Sequence, residues 1–115
     1  MQALLHKGAD IDTQKGDDGS TAIFMAAQKG HTAVVAALLR QGGDPNIKDS
    51  AGRTALMMAA RYGHREIVQA LVENGADVNA RNNNGSTALK AATDGGHTDI
   101  SLLLTEVAAR TKTSN

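Results

Sequence analysis

The chain has 115 residues, 12 Lys+Arg against 12 Asp+Glu, no Cys and only two aromatic side chains, Phe24 and Tyr62. That length suits one compact domain or one run of small repeats. Zero cysteine excludes a disulfide-stapled scaffold, a thiolate zinc site and a Cys nucleophile, and balanced charge gives no long-range pull toward nucleic acid or anionic membrane.

Hydrophobic residues make up 41% of the sequence and aromatics 2%, so Ala, Leu, Ile, Val and Met must fill the interior between closely approaching backbones. No apolar run approaches the roughly 20 residues that span a bilayer. The opening Met1–Lys7 lacks the long apolar centre of a secretory signal. An intracellular location, cytoplasm or nucleus, is the expectation.

The first segment, residues 1–15, reads as a partial unit. Leu4-Leu5 and Gly8-Ala9-Asp10 match Leu38-Leu39 and Gly42-Gly43-Asp44 at a lag of 34, which places one inserted residue in the loop Asp12–Asp18. Met1 then falls inside the second half of a unit, and the expectation is a fragment or terminal piece of a longer array. Three full units follow, over 16–48, 49–81 and 82–115, at a lag of 33. Gly19, Gly52 and Gly85 share a phase, as do Thr21, Thr54 and Thr87; Ala26, Ala59 and Ala92; Gly30, Gly63 and Gly96; His31, His64 and His97; Val34, Ile67 and Ile100; and Leu38, Leu71 and Leu104.

Within the first full unit, the spacing predicts one helix over Thr21–Lys29 and another over His31–Gln41. Ile23, Ala26 and Ala27 share a face of the first; Val34, Val35, Leu38 and Leu39 form the apolar stripe of the second. Such short helices are marginal alone, so stacking must stabilise them. Thr at the helix start is an N-cap, and glycine at the corner and at the second helix's end supplies positive φ. Asp49-Ser50-Ala51-Gly52 and Asn82-Asn83-Asn84-Gly85 predict projecting β-turn fingers between units. In the last unit Ser101 and Thr105 replace Val35/Val68 and Leu39/Val72, which predicts a face turned to water as a cap. Leu102, apolar where Ala36 and Gln69 stand, argues instead for a rotated helix or contact with another chain. The N-terminal side has no polar cap, so fraying or self-association through the first repeat is expected.

The period and layout resemble the ankyrin repeat, a β-turn and two helices in 33 residues, over about residues 3 to 109. The likeness is strongest in Gly63-His64 through Gly75-Ala76-Asp77-Val78-Asn79-Ala80. Where the family has Pro after the Thr, Ala22, Ala55 and Ala88 stand; where it has His two positions later, Phe24, Met57 and Lys90 stand. The resemblance implies an all-α repeat solenoid of stacked helix-turn-helix units joined by β-turn or hairpin loops, less stable than a consensus array. It also implies that the Asp77-Val78-Asn79 turn is similar to sites that asparaginyl hydroxylases modify.

No chemistry-bearing motif competes with that reading. Histidines one repeat apart lie roughly 10 Å from each other along a helix stack, too far to share a metal with bonds of about 2 Å; each is expected to brace the helix corner after its glycine. Asp17-Asp18 reads as a solvated turn, and Met25, Met57 and Met58 as core filler. No phosphate loop and no His-Glu-x-x-His pair occurs. The expectation is no enzyme, no cofactor and no metal.

Function is expected at the phases that differ between copies, on the fingers and first helices: Asp17, Asp18, Ser20, Gln28 and Lys29; Ser50, Ala51, Arg53, Arg61 and Tyr62; Asn83, Asn84, Ser86 and Asp94. In proteins of this kind they line a concave surface that grips a protein partner. Arg53, Arg61 and Tyr62 are the expected anchors, because Arg and Tyr dominate binding hot spots. The alternative is a structural spacer inside a larger polypeptide whose activity lies elsewhere.

Overall fold

Each first helix opens on a threonine whose side chain closes the first turn. The Oγ1 atoms of Thr21, Thr54 and Thr87 accept from the amides of Phe24, Met57 and Lys90 at 3.2, 3.3 and 3.3 Å. These caps start α1 (Ala22–Lys29), α3 (Ala55–Arg61) and α5 (Ala88–Asp94), each followed by a second helix: α2 (Thr32–Arg40), α4 (Arg65–Glu73) and α6 (Thr98–Thr113). The computed structural model describes residues 21–113, and among them every regular element is helical. The partial unit at 1–15, the Asp12–Asp18 insertion and the self-association expected of the first repeat fall outside the described residues.

The helix ends close through glycine. At the corner after α3, the His64 amide donates to Ala59 O at 2.8 Å and the Gly63 amide to Ala60 O at 3.4 Å, with Gly63 at φ 79. This is the paired-bond left-handed stop that absorbs the last orphan carbonyls of a helix. It recurs at the end of α4, where Ala76 donates to Leu71 O and Gly75 to Val72 O at 2.9 and 3.2 Å. The corresponding phase after α6 holds Ala108, a strong helix former, and α6 runs on to 16 residues against nine in α2 and α4.

The three helix pairs stack in register, α1 on α3 on α5 and α2 on α4 on α6. The aromatic-poor composition is legible in the seam between layers: Ala27, Ala59, Ala60 and Ala92 are fully buried, and their methyl groups let first helices approach closely. Ile23, Phe24, Leu56, Met57 and Met58 fill the remaining volume, with Ile67, Val68, Leu71, Ile100 and Leu104 beneath the second helices.

Burial also gives the stack a direction. The phase Val34, Ile67, Ile100 is 48%, 0% and 1% exposed, and Val34, on the apolar stripe expected of its helix, stands half in water. The phase Leu39, Val72, Thr105 runs the opposite way, from buried to exposed, and looks toward the following layer. Of the two polar replacements in this helix, Thr105 is exposed and Ser101 half-buried. Thr105 Oγ1 donates to Ser101 O at 2.8 Å, and the Thr93 and Ser101 hydroxyls lie 3.2 Å apart. The rotation allowed for α6 does not occur, since Ile100 and Leu104 hold the core phase and leave Leu102 66% exposed.

Candidate functional site

The fingers are built by an acceptor side chain at their base. In the first, the buried Asp49 carboxylate accepts the Ala51 and Arg53 amides at 3.0 and 2.8 Å, while Gly52 donates to Asp49 O at 2.9 Å to close the turn. In the second, Asn82 Oδ1 takes the same place and accepts from Asn84 and Ser86 at 2.9 and 3.0 Å. The fingers are also stitched together, because Asn83 donates through its backbone to Ala51 O and through Nδ2 to Ser50 O, at 2.9 and 3.0 Å.

This geometry sorts the residues expected to meet a partner. Arg53 has a task inside the fold: its Nε and Nη2 lie 2.8 and 2.7 Å from Asp49 Oδ2, and its guanidinium sits 5.4 Å over the Phe24 ring. Its side chain is only 30% exposed. Asn83 is likewise engaged in finger pairing, and Ser86 is half-buried with its amide on Asn82. Ser50, Ala51 and Asn84 are exposed at the tips, and Lys29 is exposed at the end of α1 with Gln28 half-buried beside it. Asp17, Asp18 and Ser20 lie outside the described residues.

Arg61 and Tyr62 stand side by side on the surface. Both are exposed at the end of α3, with the Arg61 guanidinium 5.7 Å over the Tyr62 ring, inside the range of a cation–π contact. Together with Ala91, Asp94 and Gly95 they line a cleft of about 300 Å³. Asp94 faces Lys90 at 3.4 Å with both side chains well exposed, a pairing that solvent screens heavily. Its lining thus combines the apolar Ala91 with charges of both signs from Arg61 and Asp94.

The histidines do more than brace their own corners. While the His64 and His97 amides close the turn after the preceding helix, their rings reach back one layer. His64 Nε2 lies 3.3 Å from Gln28 O and His97 Nε2 3.0 Å from Arg61 O. With Nε2 protonated, each ring donates to a carbonyl at the end of the neighbouring first helix. Neither this inter-layer bond nor the Asp49–Arg53 pair was expected from the sequence. Among the described residues no group of three His, Asp or Glu could hold a metal ion, and no helix is long and apolar enough to cross a membrane.

On the opposite side of the stack, Leu102 and Leu103 with Arg65, Asp99 and Glu106 line a cleft of about 260 Å³. Asn79 is exposed beside Val107 in a third cleft, with its amide donating to Asp77 Oδ1 at 2.9 Å.

Comparison with known proteins gives a family model described as "Ankyrin repeats (3 copies)", which matches residues 1–82 and again 38–115. The protein named "Putative palmitoyltransferase ZDHHC13" from Danio rerio is 39% identical over 49 residues, 43% of this chain and 8% of the relative. The chain thus covers a small part of that relative's length.

Proposed function

Since the chain belongs to the ankyrin repeat family, whose members generally mediate protein–protein interactions, we propose that it grips a partner protein through a concave face made of finger tips and first helices. Arg61 and Tyr62 are its anchors. The observation that carries this reading is the exposed Arg61–Tyr62 pair beside an open cleft: a large ring and a guanidinium, held in place by each other, present apolar area and donors at little entropic cost. Arg53 acts in support, by fixing the finger through Asp49.

The test compares the intact chain with Tyr62→Ala and Arg61→Ala in quantitative capture of binding proteins, alongside thermal unfolding. A 47% exposed tyrosine should change stability by about 0.5 kcal/mol or less, so loss of a partner with unchanged melting supports the anchor role. Equal loss of binding and stability makes Tyr62 a structural residue and refutes it.

A second reading, a spacer within a larger polypeptide, is favoured by the match to only 8% of the zebrafish relative. It is supported if the chain captures no protein that depends on Arg61 or Tyr62, and removed if such a partner binds the isolated chain.

A further inference from the structure

The sequence holds two Asn-Gly steps among the described residues, Asn74-Gly75 and Asn84-Gly85, and the fold treats them differently. Asn74 ends α4, where its side-chain Nδ2 donates to Ala70 O at 2.8 Å. That bond holds the carboxamide against the helix end and away from the following amide. Asn84 lies at the exposed tip of the second finger. Its backbone amide donates to Asn82 Oδ1, while its side chain has no hydrogen bond among the described residues. Space around Gly85 is open, since a Cβ built there meets nothing within 4 Å.

We infer that Asn84 is a self-modifying site of this protein, converting to aspartyl and isoaspartyl residues with hydroxide and water as the only co-reactants, while Asn74 is protected. The Gly85 amide nitrogen, after yielding its proton to hydroxide, attacks Asn84 Cγ. The bond from Cγ to the side-chain nitrogen breaks, that nitrogen takes a proton from water, and ammonia leaves behind a five-membered imide. Water then opens the ring at either carbonyl, giving Asp when the nitrogen–Cγ bond breaks and isoaspartate when the nitrogen–Cα-carbonyl bond breaks. No electron transfer is involved. Glycine is the favourable successor because it places no side chain beside the attacking nitrogen.

Both nucleophilic amides are hydrogen-bonded in the turn, Gly75 to Val72 O at 3.2 Å and Gly85 to Asn82 O at 2.9 Å. The side-chain bond of Asn74 is therefore what separates the two sites. The product carries a new carboxylate on the finger tip and moves the formal net charge from +0 to −1 by one added negative group. The isoaspartyl form also lengthens the backbone by one methylene inside a four-residue turn.

The test incubates the folded chain at body temperature and mildly alkaline pH, then follows the tryptic peptides Asn82–Lys90 and Glu66–Arg81 by tandem mass spectrometry. The readout is the mass gain of replacing an amide by an acid, with isoaspartate resolved chromatographically. Asn84 should convert about five-fold faster than Asn74, the factor one net hydrogen bond supplies. In concentrated urea the two rates should converge. Conversion of Asn74 as fast as Asn84 in the folded chain overturns the inference, as does protection of both sites in the fold with reactivity of both in urea.

Discussion

The glycine at the corner after α3 is placed to separate two physical effects that usually act together. Gly63 stands at φ 79 and Gly75 at φ 92, so alanine at either position bears a left-handed backbone costing about 1–2 kcal/mol. At Gly75 a Cβ meets nothing within 4 Å, whereas at Gly63 it lies 2.7 Å from His97 Cε1. The ring must move, and with it goes the 3.0 Å bond to Arg61 O, about 1 kcal/mol of net stability. Gly75→Ala should therefore cost about 1–2 kcal/mol and Gly63→Ala about 2–3 kcal/mol. His97→Ala alone removes the same bond, so the double variant with Gly63→Ala should cost no more than Gly63→Ala by itself. That is a coupling of about 1 kcal/mol in a double-mutant cycle. Urea unfolding followed by circular dichroism measures all four proteins. If Gly63→Ala costs no more than Gly75→Ala, or if the cycle is additive, the inter-layer histidine bond contributes nothing and the reasoning fails.

Two further substitution series follow from the fold. Asp49→Ala strips acceptors from two backbone amides and from Arg53, and should cost about 2–3 kcal/mol in denaturant unfolding; Asp49→Asn keeps the amide bonds, as Asn82 does one layer on, and should cost about 1 kcal/mol. Equal losses would show that the Arg53 pair, not the turn amides, carries the effect. Leu104→Ala, at a position 2% exposed, should cost about 2–5 kcal/mol, whereas Leu102→Ser, at a position 66% exposed, should stay within about 0.5 kcal/mol. A destabilisation from Leu102→Ser as large as that from Leu104→Ala would place Leu102 inside an interface.

The scaffold was legible because its determinants repeat. Thr21, Thr54 and Thr87 cap three helices in one way, and Gly30, Gly63 and Gly96 stand at φ 83, 79 and 77; a lag of 33 residues exposes such positions without any knowledge of contacts. Periodicity within a helix was less informative. Val34 and Ile67 occupy the same phase with similar chemistry, yet 48% and 0% exposure separate them, a difference that no property of the helix itself records. The histidines show the same limit: their phase announced a structural role, but a ring that reaches a carbonyl 36 positions earlier leaves no local mark in the sequence.

Variation between copies was an ambiguous guide to the partner surface, and the structure supplies the reason. Two variable phases change together: Asp49 with Arg53 in one finger, Asn82 with Ser86 in the next. A carboxylate that is 0% exposed in its side chain needs a cation beside it, while a carboxamide does not, so the substitution at 53 follows from that at 49 and reports on the turn. Asp94 in place of Arg61 comes with Lys90 3.4 Å away, and Gly95 in place of Tyr62 leaves room for the Arg61 carbonyl and the His97 ring, which a Cβ there would meet at 2.9 and 2.8 Å. Tyr62 leaves a large ring half in water, with the Arg61 guanidinium 5.7 Å over it. Sequence differences that the scaffold explains are its own; the exposed ring of Tyr62 is not among them, and binding measurements on Arg61 and Tyr62 test whether the proposed partner contact accounts for it.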